Sequence, residues 1–140
     1  LSFIAAGRIN PAANQPMSER LAKLSKDLGE IIKEHTPNEA AIEETFVNKN
    51  AASALKLGQA RGVAILTAAQ ADLAVSEYAA TRVKQSVTGY GHADKTQMVT
   101  MIGMLLPGSG KLTADAADAL AIAICHAHHT PHNELAKALK

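Results

Sequence analysis

Residues 114–124, Ala-Asp-Ala-Ala-Asp-Ala-Leu-Ala-Ile-Ala-Ile, read as a helix that is apolar on almost every side yet carries two carboxylates three residues apart. At 3.6 residues per turn Asp115 and Asp118 share a face with Ile122, while Ala117, Leu120, Ala121 and Ile124 occupy the opposite one. A helix that is apolar all round is normally buried, so neither face reads as facing solvent. Like charges so placed repel by roughly 0.2–0.5 kcal/mol in water and by more when desolvated, and a bound cation is the simplest compensation. Carboxylate oxygens suit Mg²⁺ or Mn²⁺. A second reading needs no metal. Thr113 can cap the helix, and the helix dipole favours acidic residues in the first turn by roughly 0.3–1 kcal/mol each. The helix alone leaves both open.

A chain of 140 residues with 47% hydrophobic side chains can bury a real core, and residues 1–140 are expected to form a single domain. It opens on Leu1 in a strand-like run, with no charged-apolar-small pattern of a signal peptide and no apolar stretch long enough to span a membrane. A soluble, cytoplasmic protein whose beginning is missing is the expectation. The lone Cys125 cannot form an internal disulfide. The net charge of +1 is the near-cancellation of 14 basic and 13 acidic residues, so it neither announces nor excludes a nucleic-acid partner.

Strands and helices alternate along the chain. Leu1–Ile9 mixes aromatic and β-branched with small residues and stops before Asn10-Pro11, as a strand would. After Ser18, the positions Leu21, Leu24, Leu28, Ile31 and Ile32 mark an amphipathic helix that Thr36-Pro37 ends. Residues Ala40–Val47 read as a second strand. Asn50 can cap a long helix to about Gln70, Leu73–Tyr78 alternates as a third strand, and a short helix runs through Lys84. Asp94-x-x-Gln97 is a capping-box variant opening a helix with Met98, Ile102 and Leu105. The Asp115 helix closes an α/β fold with a parallel portion in its sheet.

Within that frame Glu43 and Glu44 are conspicuous, because the rest of their strand is Ala, Ile, Thr, Phe and Val. Alternation puts them on opposite faces, so one must face a packed layer. Should Glu43 point toward the Asp115 helix, three carboxylates converge, the arrangement that holds two divalent ions for in-line attack of water on a phosphodiester. A strand-end glutamate paired with a lysine is the competing reading. Lys84 and Lys95 flank Thr88-Gly89-Tyr90-Gly91-His92, where they can contact phosphates or simply be solvated. Phe46 is either core or a wedge that stacks on an unpaired base.

Three further motifs fail. Pro107-Gly108-Ser109-Gly110-Lys111-Leu112 lacks the first glycine and the final Ser/Thr of a phosphate-cradling loop. Among His126, His128, His129 and His132 only His128 and His132 have i, i+4 spacing, and Pro131 interrupts them; imidazoles near a helix C-terminus explain them better. Cys125 reads as a small core residue.

Ala41-Ile42-Glu43, Phe46, Asn48–Gly62, Glu77-Tyr78-Ala79, Val83-Lys84-Gln85 and Asp115–Ala123 follow one another as the signature blocks of the RuvC family of Holliday junction resolvases, which the chain resembles from Leu1 to about His128. The resemblance implies an RNase H-like fold with a mixed sheet flanked by helices. It also implies a homodimer that resolves four-way DNA junctions by Mg²⁺-dependent cleavage of two symmetry-related strands in recombination and repair, with Mn²⁺ as a possible substitute. Carried over by position, Glu43, Asp115 and Asp118 are three of the family's four acidic metal ligands. Phe46 matches the aromatic inserted at the junction, and Lys84 and Lys95 match positions of backbone contact or catalysis. Asp115 stands where some relatives have histidine, and Glu44 where many have an uncharged residue. The branch-migration proteins RuvA and RuvB are the implied partners.

The family opens with a Gly-Ile-Asp-Pro-Gly strand carrying the fourth acid and then a second strand, and these first strands are absent here. On this reading the fragment as written is inactive, at best a non-catalytic junction-binding dimer. A metal-dependent phosphohydrolase acting on small molecules is the other alternative. Dimerisation is expected through the helix from Asn50 to Gln70, where Ala54, Gly58 and Gly62 recur every four residues and Leu55, Ile65 and Leu66 add apolar area.

Overall fold

The computed structural model describes residues 1–44 and 50–138, and side chains as far as residue 130. Five helices and two strands follow in the order α1 (Met17–His35), β1 (Glu39–Glu43), α2 (Ala51–Gln70), β2 (Ala74–Tyr78), α3 (Ala80–Thr88), α4 (Lys95–Leu105) and α5 (Ala114–Ala138). The strands β1 and β2 are neighbours in a two-stranded sheet. The architecture is mixed α/β, helices flanking a small sheet, and it falls into two compact units whose boundary lies within β2.

The unit of residues 9–76 holds α1, β1, α2 and the start of β2. Helix α1 begins one residue before Ser18, with Pro16 rather than a side-chain cap ahead of it, and ends on a left-handed Thr36 just before Pro37. The pre-proline position disfavours continued helix, which is why the stop is where the sequence puts it. Asn50 caps α2 as expected, its side chain accepting from the Ser53 amide at 3.2 Å. Helices α1 and α2 pack together, joined by a hydroxyl pair, Ser25 to Thr67, at 2.9 Å. Burial in this unit is shallow. Only Thr67 and Ala68 are fully buried here among the described residues, and Ile31, Leu55, Leu57 and Leu66 stay exposed.

The other unit, residues 1–8 and 77–140, has the deeper core. Tyr78, Val83, Val87, Met98, Ile102, Leu106, Ala117, Ala121, Ile124 and Cys125 are all buried where α3, α4 and α5 meet. Cys125 is fully enclosed, as its apolar surroundings in sequence imply. The capping box at α4 is complete: Asp94 accepts from the Gln97 amide and Gln97 accepts from the Asp94 amide, both at 2.9 Å. Two expectations fail here. Leu1–Ile9 forms no strand, because a β-like pattern becomes a strand only with a ladder partner and the described sheet offers it none. Helix α5 does not break at Pro131 but runs to Ala138. A mid-helix proline loses its own amide bond, here to the Ala127 carbonyl, and its ring crowds that carbonyl, a cost of about 3 kcal/mol that can kink a helix without ending it. His126, His128 and His129 are therefore mid-helix, not C-terminal.

Candidate active site

Helix α5 has two sides. Ala116, Ala117, Ala121, Ile124 and Cys125 are sealed into the core, whereas Asp115 and Asp118 lie exposed on the first turns. The expectation that neither face meets solvent is corrected: alanine is small enough to leave the carboxylate face open while the opposite face packs. Thr113 holds the helix start, its hydroxyl accepting from the Ala116 amide at 3.3 Å and its carbonyl from the Ala117 amide at 2.9 Å. The capping half of the second reading therefore holds, and it does not compete with the first, because a cap fixes where both carboxylates project. The Asp115 side chain is 66% exposed and meets the Arg8 guanidinium at 3.5 Å. An exposed pair at that length contributes little to stability. Arg8 is a charge beside the carboxylate that the sequence did not flag, since it lies in the segment read as a strand.

Glu43 ends β1 in the other unit. Its side chain is exposed, and its backbone carbonyl accepts from Arg61 Nε on α2 at 3.1 Å. Glu44 is exposed as well, so neither glutamate faces a packed layer. The strand stops at Glu43, and alternation has no hold on a residue beyond it. Among the described residues no group of three or more His, Cys, Asp or Glu side chains stands ready to hold a metal ion. The α5 carboxylates nonetheless fit a hard divalent cation as two of its ligands: both are oxygen donors, both are open to a hydrated ion, and they lie one turn apart on a rigid element.

Lys84 is half-buried on α3, and Lys95 is exposed at the first position of α4. The loop between them is tied down. Gly89 takes φ +87° to close α3, a conformation that side chains rarely adopt, and the one proton of the Thr88 hydroxyl is shared between the carbonyls of Lys84 at 2.9 Å and Tyr90 at 3.0 Å. A lysine in the middle of α3 and another at the start of α4, with such a loop between their helices, suit a phosphate backbone. Phe46 lies outside the described residues. The Pro107–Gly110 segment is a turn with Gly108 and Gly110 at positive φ, as expected for a connection rather than a phosphate cradle.

The family profile described as Crossover junction endodeoxyribonuclease RuvC matches residues 1–126. The chain is 57% identical over 138 residues to the crossover junction endodeoxyribonuclease RuvC of Maricaulis maris, covering 99% of this chain and 82% of that one. With the protein of the same name from Paramagnetospirillum magneticum it shares 54% identity over 140 residues, covering 84% of that chain. In structure it resembles Thermus thermophilus RuvC at 29% identity, with a TM-score of 0.77 over 89% of this chain and 76% of the other. The T. thermophilus RuvC in complex with Holliday junction substrate matches with a TM-score of 0.81 over the same shares. The order of the signature blocks, the exposed carboxylates on α5 and these matches lead to one conclusion: the chain belongs to the RuvC family of crossover junction endodeoxyribonucleases.

Proposed function

We propose that this protein is a structure-selective endonuclease that resolves four-way DNA junctions, with Asp115, Asp118 and Glu43 as metal ligands and Mg²⁺, or Mn²⁺ in its place, as the ion. The observation that carries the reading is the pair of solvent-facing carboxylates on helix α5, whose opposite face is packed in the core, in a RuvC-family chain. A bound divalent ion supplies Lewis-acid polarisation of the scissile phosphate and an activated water. The chain's own side chains do the rest. Thr113 fixes the helix start, so Asp115 and Asp118 present their oxygens from a rigid first turn. Lys84 and Lys95 neutralise backbone phosphates and orient the strand, and Phe46 stacks on a base exposed at the crossover.

The two units act together as one nuclease domain with the RNase H-like fold of the family. The active assembly is a homodimer through α2, where Leu55, Gly58, Gly62 and Leu66 fall on one exposed face. A side-chain carbon added at Gly58 or Gly62 meets nothing within 4 Å, so this face is open to close approach by another helix. Two copies related by a two-fold axis match two symmetric cuts. RuvA and RuvB are the proposed partners in the cell and the cytoplasm the proposed compartment; among the described residues no helix is long and apolar enough to cross a membrane.

Incubation of the full-length protein with Mg²⁺, a labelled four-way junction and a linear duplex of the same sequences tests the reading. Preferential nicking of the junction is expected. Equal attack on both DNAs, or hydrolysis of a small phosphodiester such as bis(p-nitrophenyl) phosphate without junction preference, would assign a phosphohydrolase instead.

A further inference from the structure

Away from the carboxylates, a chain of polar contacts joins α3 to the middle of α5. Arg82 on α3 donates from Nε to His129 Nε2 at 3.2 Å. Its backbone carbonyl faces the Cys125 thiol, with Sγ 3.9 Å away. His129 Nδ1 lies 2.6 Å from the Cys125 carbonyl oxygen and 3.7 Å from Cys125 Sγ. Cys125 and His129 are i, i+4 on one face of α5, so both contacts from Arg82 land on the same stripe. Beside them Tyr78, buried at the end of β2, places its hydroxyl 2.8 Å from His126 Nδ1. Its ring sits with centroids 5.7 Å from both imidazoles, edge-on to His126.

The chemistry of His129 is over-determined. An arginine can only donate, so Nε2 must accept and carries no proton. The remaining proton is on Nδ1, where it points at the Cys125 carbonyl. Arg82 thus selects the Nδ1–H tautomer, the minor form of a free neutral imidazole.

We propose that Arg82 and His129, backed by the Tyr78–His126 pair, are positioning residues that lock the register of α3 against α5. The inference rests on the nuclease reading above. Lys84 is two residues beyond Arg82 on α3, and Asp118 is two turns before Cys125 on α5. Each helix is rigid along that span, so pinning Arg82 to Cys125 and His129 fixes how far the lysine stands along and around the helix that carries the carboxylates. The side chains these helices bury, Val83, Val87, Ala121 and Ile124 among them, supply the packing, which is largely non-directional, and the polar chain adds contacts that resist a slide by one residue, about 1.5 Å along the axis. Hydrogen bonds are directional and lose most of their strength on such a slide.

The test uses the full-length protein and the variants Arg82→Met, His129→Leu and His129→Gln. Methionine keeps the length of Arg82 without its donor. Leucine removes both imidazole functions, whereas glutamine can accept from Arg82 and donate to the Cys125 carbonyl. Arg82→Met and His129→Leu are expected to lower kcat for junction cleavage by at least about tenfold, since misplacing a group by about 1 Å can cost up to about 10² in rate. Junction Kd should weaken by no more than Lys84→Ala weakens it, because only the Lys84 contact is displaced and the other phosphate contacts remain. The double variant should be no worse than either single, and His129→Gln should recover most of the rate. Nitrogen chemical shifts of labelled histidine should show Nδ1–H at residue 129 in the unbound wild type and a return toward Nε2–H in Arg82→Met. Unchanged kcat in both broken variants, or Nε2–H in the wild type, overturns the lock. A wild type that cleaves nothing overturns the nuclease reading, a result distinct from loss of the lock, which the nitrogen signature reports with no substrate present.

Discussion

Asp115 and Asp118 owe their exposure to their neighbours: alanines at 116, 117 and 121 let α5 sink into the core by one side while the carboxylates stay in water. Arg8 beside Asp115 is the charge most easily mistaken for a structural anchor. With side chains 51% and 66% exposed, the pair should add at most about 1 kcal/mol, so Arg8→Ala is expected to lower the melting temperature by no more than about 4 °C. A large destabilisation would show that the residues 1–8 depend on this contact. The two lysines have a different signature. If each contacts one phosphate, Lys84→Ala and Lys95→Ala should each weaken junction binding and make the log–log salt dependence shallower by about 0.9. A slope identical to that of the wild type would return the lysine in question to the solvated surface. Phe46→Ala separates its two readings by what it costs. Loss of a stacking platform should remove about 1–3 kcal/mol from junction engagement with little change in folding stability, whereas loss of a core side chain should cost about 3–5 kcal/mol of stability.

At the level of elements, the caps carry the clearest energetic prediction. Asp94→Ala removes the acceptor for the Gln97 amide and breaks the reciprocal box, and Asn50→Ala does the same for the single bond to Ser53. Each should cost about 1 kcal/mol in denaturant unfolding, and a loss below about 0.3 kcal/mol would mean that water replaces the cap. These caps were legible in the sequence because their signal is local: Asn50, Asp94 with Gln97, and Thr36 before Pro37 act over three or four residues with no help from the rest of the fold. The misread elements needed distant information. A strand over Leu1–Ile9 depends on a partner the local pattern does not reveal. The continuation of α5 past Pro131 depends on one lost amide bond being tolerable, and the exposure of Glu43 and Glu44 depends on where β1 ends. Tyr78 stood in a signature block, yet its link to His126 spans 48 positions in sequence and no local spacing announces it.

For the molecule as a whole, the mixed α/β class was readable from alternating periodicities, and two carboxylates of the candidate site drew notice by their odd place on an apolar helix. The roles of Glu43, Phe46 and the lysines came from the resemblance to the family, because nothing in a strand-end glutamate or a surface lysine distinguishes a ligand from a solvated charge. The proposed homodimer would cover the shallowly buried face of the unit that holds α2. With Leu55 and Leu66 exposed around Gly58 and Gly62, sedimentation should show a dimer at micromolar concentration. Lysine at both glycines should give a folded monomer whose melting temperature no longer depends on protein concentration, because the space around each glycine is open to a side chain and only the dimer contact is lost. A dimer that survives both lysines would move the interface elsewhere. The central claim, that the α5 carboxylates drive hydrolysis of junction DNA, is tested most directly by mapping incisions on an end-labelled four-way junction with the full-length wild type and Asp118→Asn side by side in Mg²⁺. The wild type should give two nicks at symmetry-related positions in opposite strands, and Asp118→Asn no nicks with junction binding nearly intact, since the change removes a proposed metal ligand without adding bulk. Cleavage by Asp118→Asn at the wild-type rate would contradict the claim.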